Sequence, residues 1–226
     1  MSTRLNKFIA HAAGLSRREA DAAIEAGRVK VNSARAILGM QITPEDIVLI
    51  DNRPLRHEAL DYVYLLLHKP AGYVCSRRQQ GDTPTIYSLL PSQYQELKPV
   101  GRLDKDSSGL ILLTNDGDFA HRMTHPSFVK TKQYLVELDY PLEPLHQQMI
   151  SDYGVQLDDG TSRFLVAQAD QIARTYSVTM SEGRNRQIRR TFAALGYTVI
   201  KLHRISFGPY SLTDEKPGEF HLVDKQ

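Results

Sequence analysis

The strongest constraint on the fold is a series of short apolar segments, typical of β-strands, in the chain from residue 62 onwards. VYLLLHKP, GLILLT, KQYLVELD and TYSVTMSEG combine leucine, β-branched and aromatic residues over lengths that suit strands. Two helices are predicted among them, a short one over 118–123 and a stronger one over 185–195 that Gly196 closes. This succession predicts an α+β domain with a mixed, mostly antiparallel sheet flanked by helices.

The first 55 residues have a different pattern and predict a small separate unit. Apolar residues at helical spacing from Leu5 predict a helix that ends near residue 14. Ser16 and Glu19 then form a capping box that opens a second helix, which stops at Gly27. RVKVN and IVLID follow as candidate strands. The predicted organisation is therefore a small domain over 1–55, a polar linker over 56–61 and a larger domain over 62–226.

The composition excludes several classes of protein. A hydrophobic share of 41% and a charged share of 24% are typical of a soluble globular protein. The chain has no apolar run near the roughly 20 residues that cross a bilayer, and its first residues carry charges throughout, unlike a secretory signal. The single cysteine, Cys75, excludes an internal disulfide and a cysteine-rich zinc site. We therefore expect a cytoplasmic protein with no membrane association.

The distribution of charge is more informative than the net charge of +2. Six basic residues and no acidic ones occupy 183–204, which indicates a face suited to a polyanion, although a basic cluster on a solvated surface is the alternative. In the predicted helix over 185–195, Arg186 and Arg190 are spaced like helical neighbours. The apolar stripe of that helix, which should be buried, is Ile188, Phe192 and Leu195. The six basic residues are Arg184, Arg186, Arg189, Arg190, Lys201 and Arg204.

The segment GRLDKDSSGL, from Gly101 to Leu110, contains more polar residues than a surface turn needs. Its acidic spacing resembles a calcium loop, but the position that should hold a closing glutamate is Asn115. Its serines precede a strand, so the serine nucleophile pattern does not fit either. The chain also lacks a phosphate-binding loop and a convincing histidine metal motif. We expect neither a metal nor a cofactor.

What remains in this segment is Asp104, a carboxylate in a polar loop between apolar segments. An oriented, ionised carboxylate can act as a nucleophile at a sugar carbon. A turn aspartate that only caps the neighbouring backbone has the same local sequence. The residues alone leave both interpretations open.

Five segments together resemble a known enzyme family. GRLDKDSSGLILLT resembles the central motif of RNA pseudouridine synthases, and three further segments resemble the family's other motifs in the same order. The N-terminal RLNKFIAHAAGLSRREADAAIEAGRVKVN is similar to the αL-type RNA-binding domain first known from ribosomal protein S-four. That pair of domains is the mark of the RsuA-type branch, whose members modify ribosomal RNA. The three further segments are HKPAGYVCS, KQY and EGRNRQIRRTFAALG with its extension LHRISFG.

The resemblance implies a reaction that needs no cofactor. A specific uridine in ribosomal RNA would be flipped out of its stack, its N1–C1′ bond broken, and C5 joined to C1′ to give pseudouridine. The expected partner is ribosomal RNA or a pre-ribosomal particle, and the expected state is a monomer. HKPAGYVCS and FAALG resemble the small-subunit member of the branch most, so the resemblance slightly favours small-subunit RNA as the substrate.

The resemblance also assigns roles to individual residues. Asp104 would be the catalytic carboxylate, which attacks C1′ or removes a proton from C2′. Tyr134 would stack on the flipped uracil and assist removal of the C5 proton. Arg189 would pair with the carboxylate and keep it ionised. Residues expected to bind the substrate are Arg102, Leu202, Arg186 and Arg190, and those expected to bind RNA phosphates in the first domain are Arg4, Lys7, Arg17, Arg18, Arg28 and Lys30.

Two other functions are compatible with parts of this pattern. A non-catalytic RNA-binding ribosome-assembly factor could share the fold, but it would not need Asp104, Tyr134 and Arg189 together. A glycoside hydrolase acting on free nucleosides would need a second carboxylic acid across from Asp104, and its basic helix would have no purpose.

Overall fold

The computed structural model describes residues 2–56, 61–78, 81–169 and 174–226. The chain divides into two compact units, Met1–Asp61 and Tyr62–Gln226, and each has its own buried core. Most of the predicted linker, residues 57–60, lies outside the described residues. In the described ranges, no helix is both long enough and apolar enough to span a membrane.

The first unit packs two helices against short antiparallel strands. The predicted capping box is confirmed: the Glu19 amide donates to Ser16 Oγ over 3.2 Å, and the Ser16 amide donates to the Glu19 carboxylate over 2.6 Å. The helices and strands are α1 Leu5–Ala12, α2 Arg17–Glu25, β1 Thr3–Arg4, β2 Val29–Val31, β3 Ala34–Arg35, β4 Gln41–Ile42, β5 Val48–Ile50 and β6 Arg53–Pro54. Strand order is β3-β2-β5-β6, with β1 paired to β4.

The second unit is built on one mixed sheet. The strands of this unit are β7 Tyr64–Lys69, β8 Lys98–Pro99, β9 Ser108–Thr114, β10 Lys132–Leu138, β11 Val155–Leu157, β12 Gly160–Ser162, β13 Leu165–Gln168, β14 Thr175–Met180, β15 Val199–Phe207, β16 Tyr210–Ser211 and β17 Phe220–Leu222. The order in the sheet is β13-β14-β10-β15-β9-β7-β17. The pairs along it are antiparallel except β9 with β15, which is parallel, so the predicted α+β class is confirmed.

In the part of this unit that the structure describes, three α-helices accompany the sheet: α3 Gly117–Thr124, α4 Pro144–Gln148 and α5 Gln187–Ala194. The second and third strands of the sequence prediction, GLILLT and KQYLVELD, become β9 and β10, and the stronger predicted helix becomes α5. On α5, Ile188 and Phe192 are buried as predicted, whereas Leu195 is only partly buried beyond the helix end. The apolar face of α5 therefore fixes the helix against the sheet and its arginines near the loop before β9.

A close approach between β9 and β15 explains one glycine of GRLDKDSSGL. Gly109 has φ +110°, and a Cβ placed there would lie 2.2 Å from the carbonyl oxygen of Arg204. No side chain fits at that distance, so only glycine lets the two strands meet. The loop before β9 is thereby held next to β15.

Candidate active site

A cleft of about 510 Å³ opens in the second unit beside the loop of residues 101–108. Its size falls in the range of roughly 300–1,000 Å³ that small-molecule sites occupy, which is sufficient for a single nucleotide. Of the seven residues predicted for catalysis or substrate binding, five line it: Arg102, Asp104, Tyr134, Arg186 and Leu202. Arg189 and Arg190 are not among the described residues that line it.

The backbone of the Asp104 loop, residues 104–107, is held from below by a buried lysine. Lys69, fully buried at the end of β7, donates from Nζ to the carbonyl oxygen of Ser107 over 2.6 Å. The Gly72 amide donates to the carbonyl oxygen of Lys105, also over 2.6 Å. Burial lowers the pKa of Lys69, against the effect of nearby acidic groups. These contacts fix the loop while its aspartate side chains remain towards solvent.

The side chains of the loop meet two arginines in a group that we name the loop cluster: Asp104, Asp106, Arg186 and Arg189. Arg186 donates two hydrogen bonds to the Asp106 carboxylate, over 3.1 and 3.2 Å, and its Nη1 lies 3.4 Å from Asp104 Oδ2. Arg189 Nη2 lies 3.3 Å from Asp106 Oδ2 and donates to the Asp106 carbonyl oxygen over 3.1 Å. Hydrogen bonds from Arg186 and the charge of Arg189 lower the pKa of Asp106.

The arginine next to Asp104 differs from the one that the resemblance implied. In the contacts that the described residues make, Arg189 is paired with Asp106, and the ion pair of Asp104 is with Arg186. The Arg189 side chain is 12% exposed, and its Nη1 donates a hydrogen bond to the Val199 carbonyl oxygen over 2.8 Å. Because this buried anchor fixes the guanidinium, Arg189 reaches only the nearer carboxylate. Its role towards Asp104 stays a prediction.

The prediction that Arg186 and Arg190 are neighbours on one helix was wrong. Helix α5 begins at Gln187, and Arg186 precedes it in the left-handed conformation with φ +45° and ψ +32°. The Gln187 side chain accepts a hydrogen bond from the Arg184 amide over 3.1 Å, which supports this turn. Arg186 therefore contacts the Asp104 loop instead of extending along the helix.

Arg190 belongs to a second group, which we name the hairpin clasp: Arg184, Arg190 and Asp159. Asp159 lies in the turn between β11 and β12, 2.7 Å from Arg190 Nη2 and 2.9 Å from Arg184 Nη1. Arg184 also donates to the carbonyl oxygens of Gly160 and Thr161, over 3.0 and 2.8 Å. The clasp ties the hairpin to α5, and Arg190 has its charge matched there. Its expected contact with the substrate stays a prediction.

Two apolar residues predicted for the site form part of the cleft wall. Tyr134 and Leu202 are 8% and 7% exposed and belong to the paired strands β10 and β15. The register places Tyr134 opposite Arg204, so these two side chains share one face of the sheet. Arg102, in contrast, is exposed at the edge of the cleft.

Two residues with a clear structural part in this site were not recognised from the sequence. Asp106 carries most of the arginine contacts of the loop cluster, and Lys69 holds the loop from below. The alternation of charges in LDKDS gave no reason to prefer one carboxylate. A lysine that ends the otherwise apolar segment YLLLHK was the one signal for Lys69.

The basic residues predicted to bind RNA in the first unit are at its surface, and some already have partners. Arg28 forms a two-bond ion pair with Asp51, over 2.8 and 2.5 Å, and Lys30 donates to Asn52 Oδ1 over 3.0 Å. Arg17 donates to Asn6 Oδ1 over 3.3 Å. Arg4 and Arg18 are exposed, and Lys7 is partly buried. Their contact with phosphates stays a prediction.

Comparisons with known proteins agree with this architecture. Residues 63–194 match the family described as RNA pseudouridylate synthase, and residues 3–48 match the S4 domain. The chain is 39% identical to the ribosomal small subunit pseudouridine synthase A of Yersinia pestis, over 96% of this chain and 93% of that protein. It is 34% identical to the ribosomal large subunit pseudouridine synthase B of Bacillus subtilis, over 96% and 90%. A crystal structure of a pseudouridylate synthase matches with a TM-score of 0.70 and 36% identity, over 98% and 96%.

Proposed function

The chain belongs to the RNA pseudouridylate synthase family, and we propose that it isomerises a specific uridine in ribosomal RNA to pseudouridine with Asp104 as the catalytic carboxylate. One observation carries the assignment of the residue: Asp104 is the carboxylate of the immobilised loop that lines the cleft. Its ion pair with Arg186, at 3.4 Å, is long enough to leave carboxylate oxygens available to a substrate.

The proposed reaction begins when the target nucleotide leaves its stack and enters the cleft, at a cost of a few kcal/mol. Asp104 then attacks C1′, or takes a proton from C2′, and the N1–C1′ bond breaks. Tyr134 packs against the uracil while the base turns, and C5 joins C1′. Leu202, buried beside Tyr134 in the cleft wall, supports the apolar side of the pocket. Burial of the base against these side chains holds it for the second bond.

The proposed RNA contacts combine the edge of the cleft with the first unit. Arg102 and Arg186 are exposed at the cleft and suit the phosphates on either side of the flipped nucleotide. The S4 match over 3–48 supports additional, sequence-independent affinity from the basic residues of that unit. Relatives named for the small and the large subunit are both similar to this chain. We infer small-subunit RNA or a precursor particle as the first substrate to test, for a cytoplasmic monomer.

The experiment uses small- and large-subunit ribosomal RNA tritiated at uridine C5. Isomerisation replaces the C5 hydrogen, so tritium should appear in water with the wild-type protein. Asp104→Asn should lose roughly a thousandfold or more in rate, because the substitution removes the reacting group. Asp159→Asn is the matched control, since it removes the same charge from the hairpin clasp. Binding of RNA without tritium release by any protein would contradict the proposal and favour the assembly-factor alternative.

A further inference from the structure

One buried charge in the cleft wall has no part in the reaction described above. Arg204, on β15, lines the cleft and is 2% exposed. Its Nε donates to the Leu110 carbonyl oxygen over 2.8 Å, and its guanidinium lies 5.0 Å from the ring centre of Phe207. Its buried Nη2 has no hydrogen-bond partner among the described residues. A buried donor left without a partner is rare and costly, and it calls for a reason beyond the fold.

A second positively charged residue, Lys132, lies close to Arg204. Lys132 Nζ lies 5.5 Å from the centre of the same Phe207 ring and donates to the carbonyl oxygens of Ser181 and Glu182, over 3.1 Å each. Burial and the charge of Arg204 lower the pKa of Lys132, and the charge of Glu182 opposes this shift. The ion pair of the Glu182 carboxylate is with Arg184, at 3.5 Å. Among the described residues, this wall therefore holds two cations, Arg204 and Lys132, whose hydrogen bonds reach only neutral carbonyl groups.

The position of Arg204 indicates which part of a substrate it meets. It stands opposite Tyr134 across β10 and β15, so its side chain lies beside the aromatic residue proposed to pack on the uracil. Arg102 and Arg186 are exposed at the edge of the cleft, where the RNA backbone would remain. A group at the depth of Arg204 is reached by the flipped base and not by the phosphates.

We propose that Arg204 stabilises the negative charge that the uracil acquires when its N1–C1′ bond breaks. The inference rests on the proposed function. The electron pair of the broken bond passes to N1 and is shared with O2 and O4, whichever route Asp104 takes at the sugar. C5 then bonds to C1′ and releases its hydrogen to water as a proton, while N1 takes up one proton, so no cofactor or co-reactant is consumed. A cation held in a buried wall, where charge is poorly screened, acts strongly on an anion of this kind.

The first test compares uridine RNA with the same RNA carrying 5-fluorouridine at the target site. The fluorine withdraws electrons and stabilises the departing anion, so the enzyme's cation matters less. Arg204→Gln should reduce kcat for N1–C1′ cleavage of uridine about a hundredfold or more, with KM changed little. Its loss on 5-fluorouridine, measured by nuclease digestion and chromatography of the nucleosides, should be at least about tenfold smaller. Arg204→Lys, which keeps a charge, should show an intermediate difference.

Equal losses on the two RNAs would overturn the proposal, because a merely structural role does not depend on the leaving group. Arg122→Gln, on the exposed side of α3, is the matched control and should not change the ratio between the two substrates. Each variant is compared after its thermal unfolding and circular dichroism are matched to the wild type. Absence of tritium release by the wild-type protein would instead contradict the proposed function itself.

The second test needs no variant and so does not depend on folding. Free 5-fluorouracil serves as the probe for the departing base, and fluorine NMR follows its ionisation when bound to the wild-type protein. The pKa of the bound probe should fall by at least one unit from its value in water, which corresponds to about tenfold tighter binding of the anion. An unchanged or raised pKa, or no binding of the probe, would overturn the proposal.

Discussion

The loop cluster and the hairpin clasp both pair aspartates with arginines from α5 and the turn before it. The two groups hold their carboxylates differently. In the clasp, Asp159 has an arginine nitrogen at 2.7 Å and another at 2.9 Å. In the loop cluster, Asp106 takes two bonds from Arg186, and Asp104 has one contact at 3.4 Å. The tightly held carboxylates support structure, and the loosely held one lines the cleft. The number and the lengths of these contacts distinguish the two structural aspartates from Asp104, the one that we propose to react.

Substitution of one structural aspartate from each group is the strongest test of whether the two groups differ in function. Asp106→Asn removes the charge that both arginines share with the loop, so Asp104 loses its fixed position, and kcat should fall about a hundredfold. Asp159→Asn, which weakens only the hairpin attachment, should change kcat by less than about threefold. Rates of tritium release at saturating RNA measure both. Similar losses in the two variants would mean that the groups are not functionally distinct.

A carboxylate outside both groups shows what a buried structural aspartate contributes. Asp116 caps α3 and accepts hydrogen bonds from Tyr64 and Lys225, both over 2.8 Å. Burial alone would raise its pKa, but the bonds from Lys225, the Phe119 amide and Tyr64 lower it from 3.8 to about 2. Because the pKa is lower in the folded state, Asp116 stabilises that state at pH values above its pKa in the unfolded chain. This contribution disappears as the pH falls from about 4 to about 2.

The expected contribution of Asp116 is about 2 kcal/mol in the free energy of unfolding. The free energy of unfolding of the wild type, measured with urea, should be lower at pH 2.5 than at pH 6 by most of that amount. The other acidic groups add their own loss to this difference. Asp116→Asn should be less stable than the wild type at pH 6, and the difference between the two proteins should shrink at pH 2.5. A difference that stays constant between the two pH values would contradict the assigned pKa.

The backbone at Arg186 allows stability and activity to be separated. Because Arg186 has positive φ, Arg186→Gly relieves backbone strain while it removes the contacts with Asp104 and Asp106. We expect a thermal midpoint equal to or above that of the wild type, together with a roughly tenfold lower kcat/KM. Arg190→Gly, inside α5, should instead lower stability by about 1 kcal/mol through lost helix propensity. A clear loss of stability in Arg186→Gly would show that its side-chain contacts outweigh the strain.

The local elements and the class of chemistry follow from residues that lie close together in the chain. Three examples are the capping box at Ser16, the apolar segments that form β9 and β10, and the buried stripe of Ile188 and Phe192 on α5. Local spacing fixes such elements because the backbone hydrogen bonds and buried faces repeat at the period of the helix or strand. The motif set likewise pointed to Asp104 and Tyr134, which both line the cleft.

Which charged groups meet depends on contacts between distant parts of the chain. Asp104 and Arg186 are more than 80 residues apart, and the left-handed turn before α5 brings Arg186 to the loop while Arg189 stops at Asp106. Lys69 under the loop and Arg204 opposite Tyr134 depend on the order of strands in the sheet. An ion pair or hydrogen bond is made or lost when its two atoms move apart by about 1 Å. Residue type and spacing along the chain do not specify atomic positions that precisely. The sequence therefore indicated the groups that we propose to be catalytic, and the fold supplied their partners.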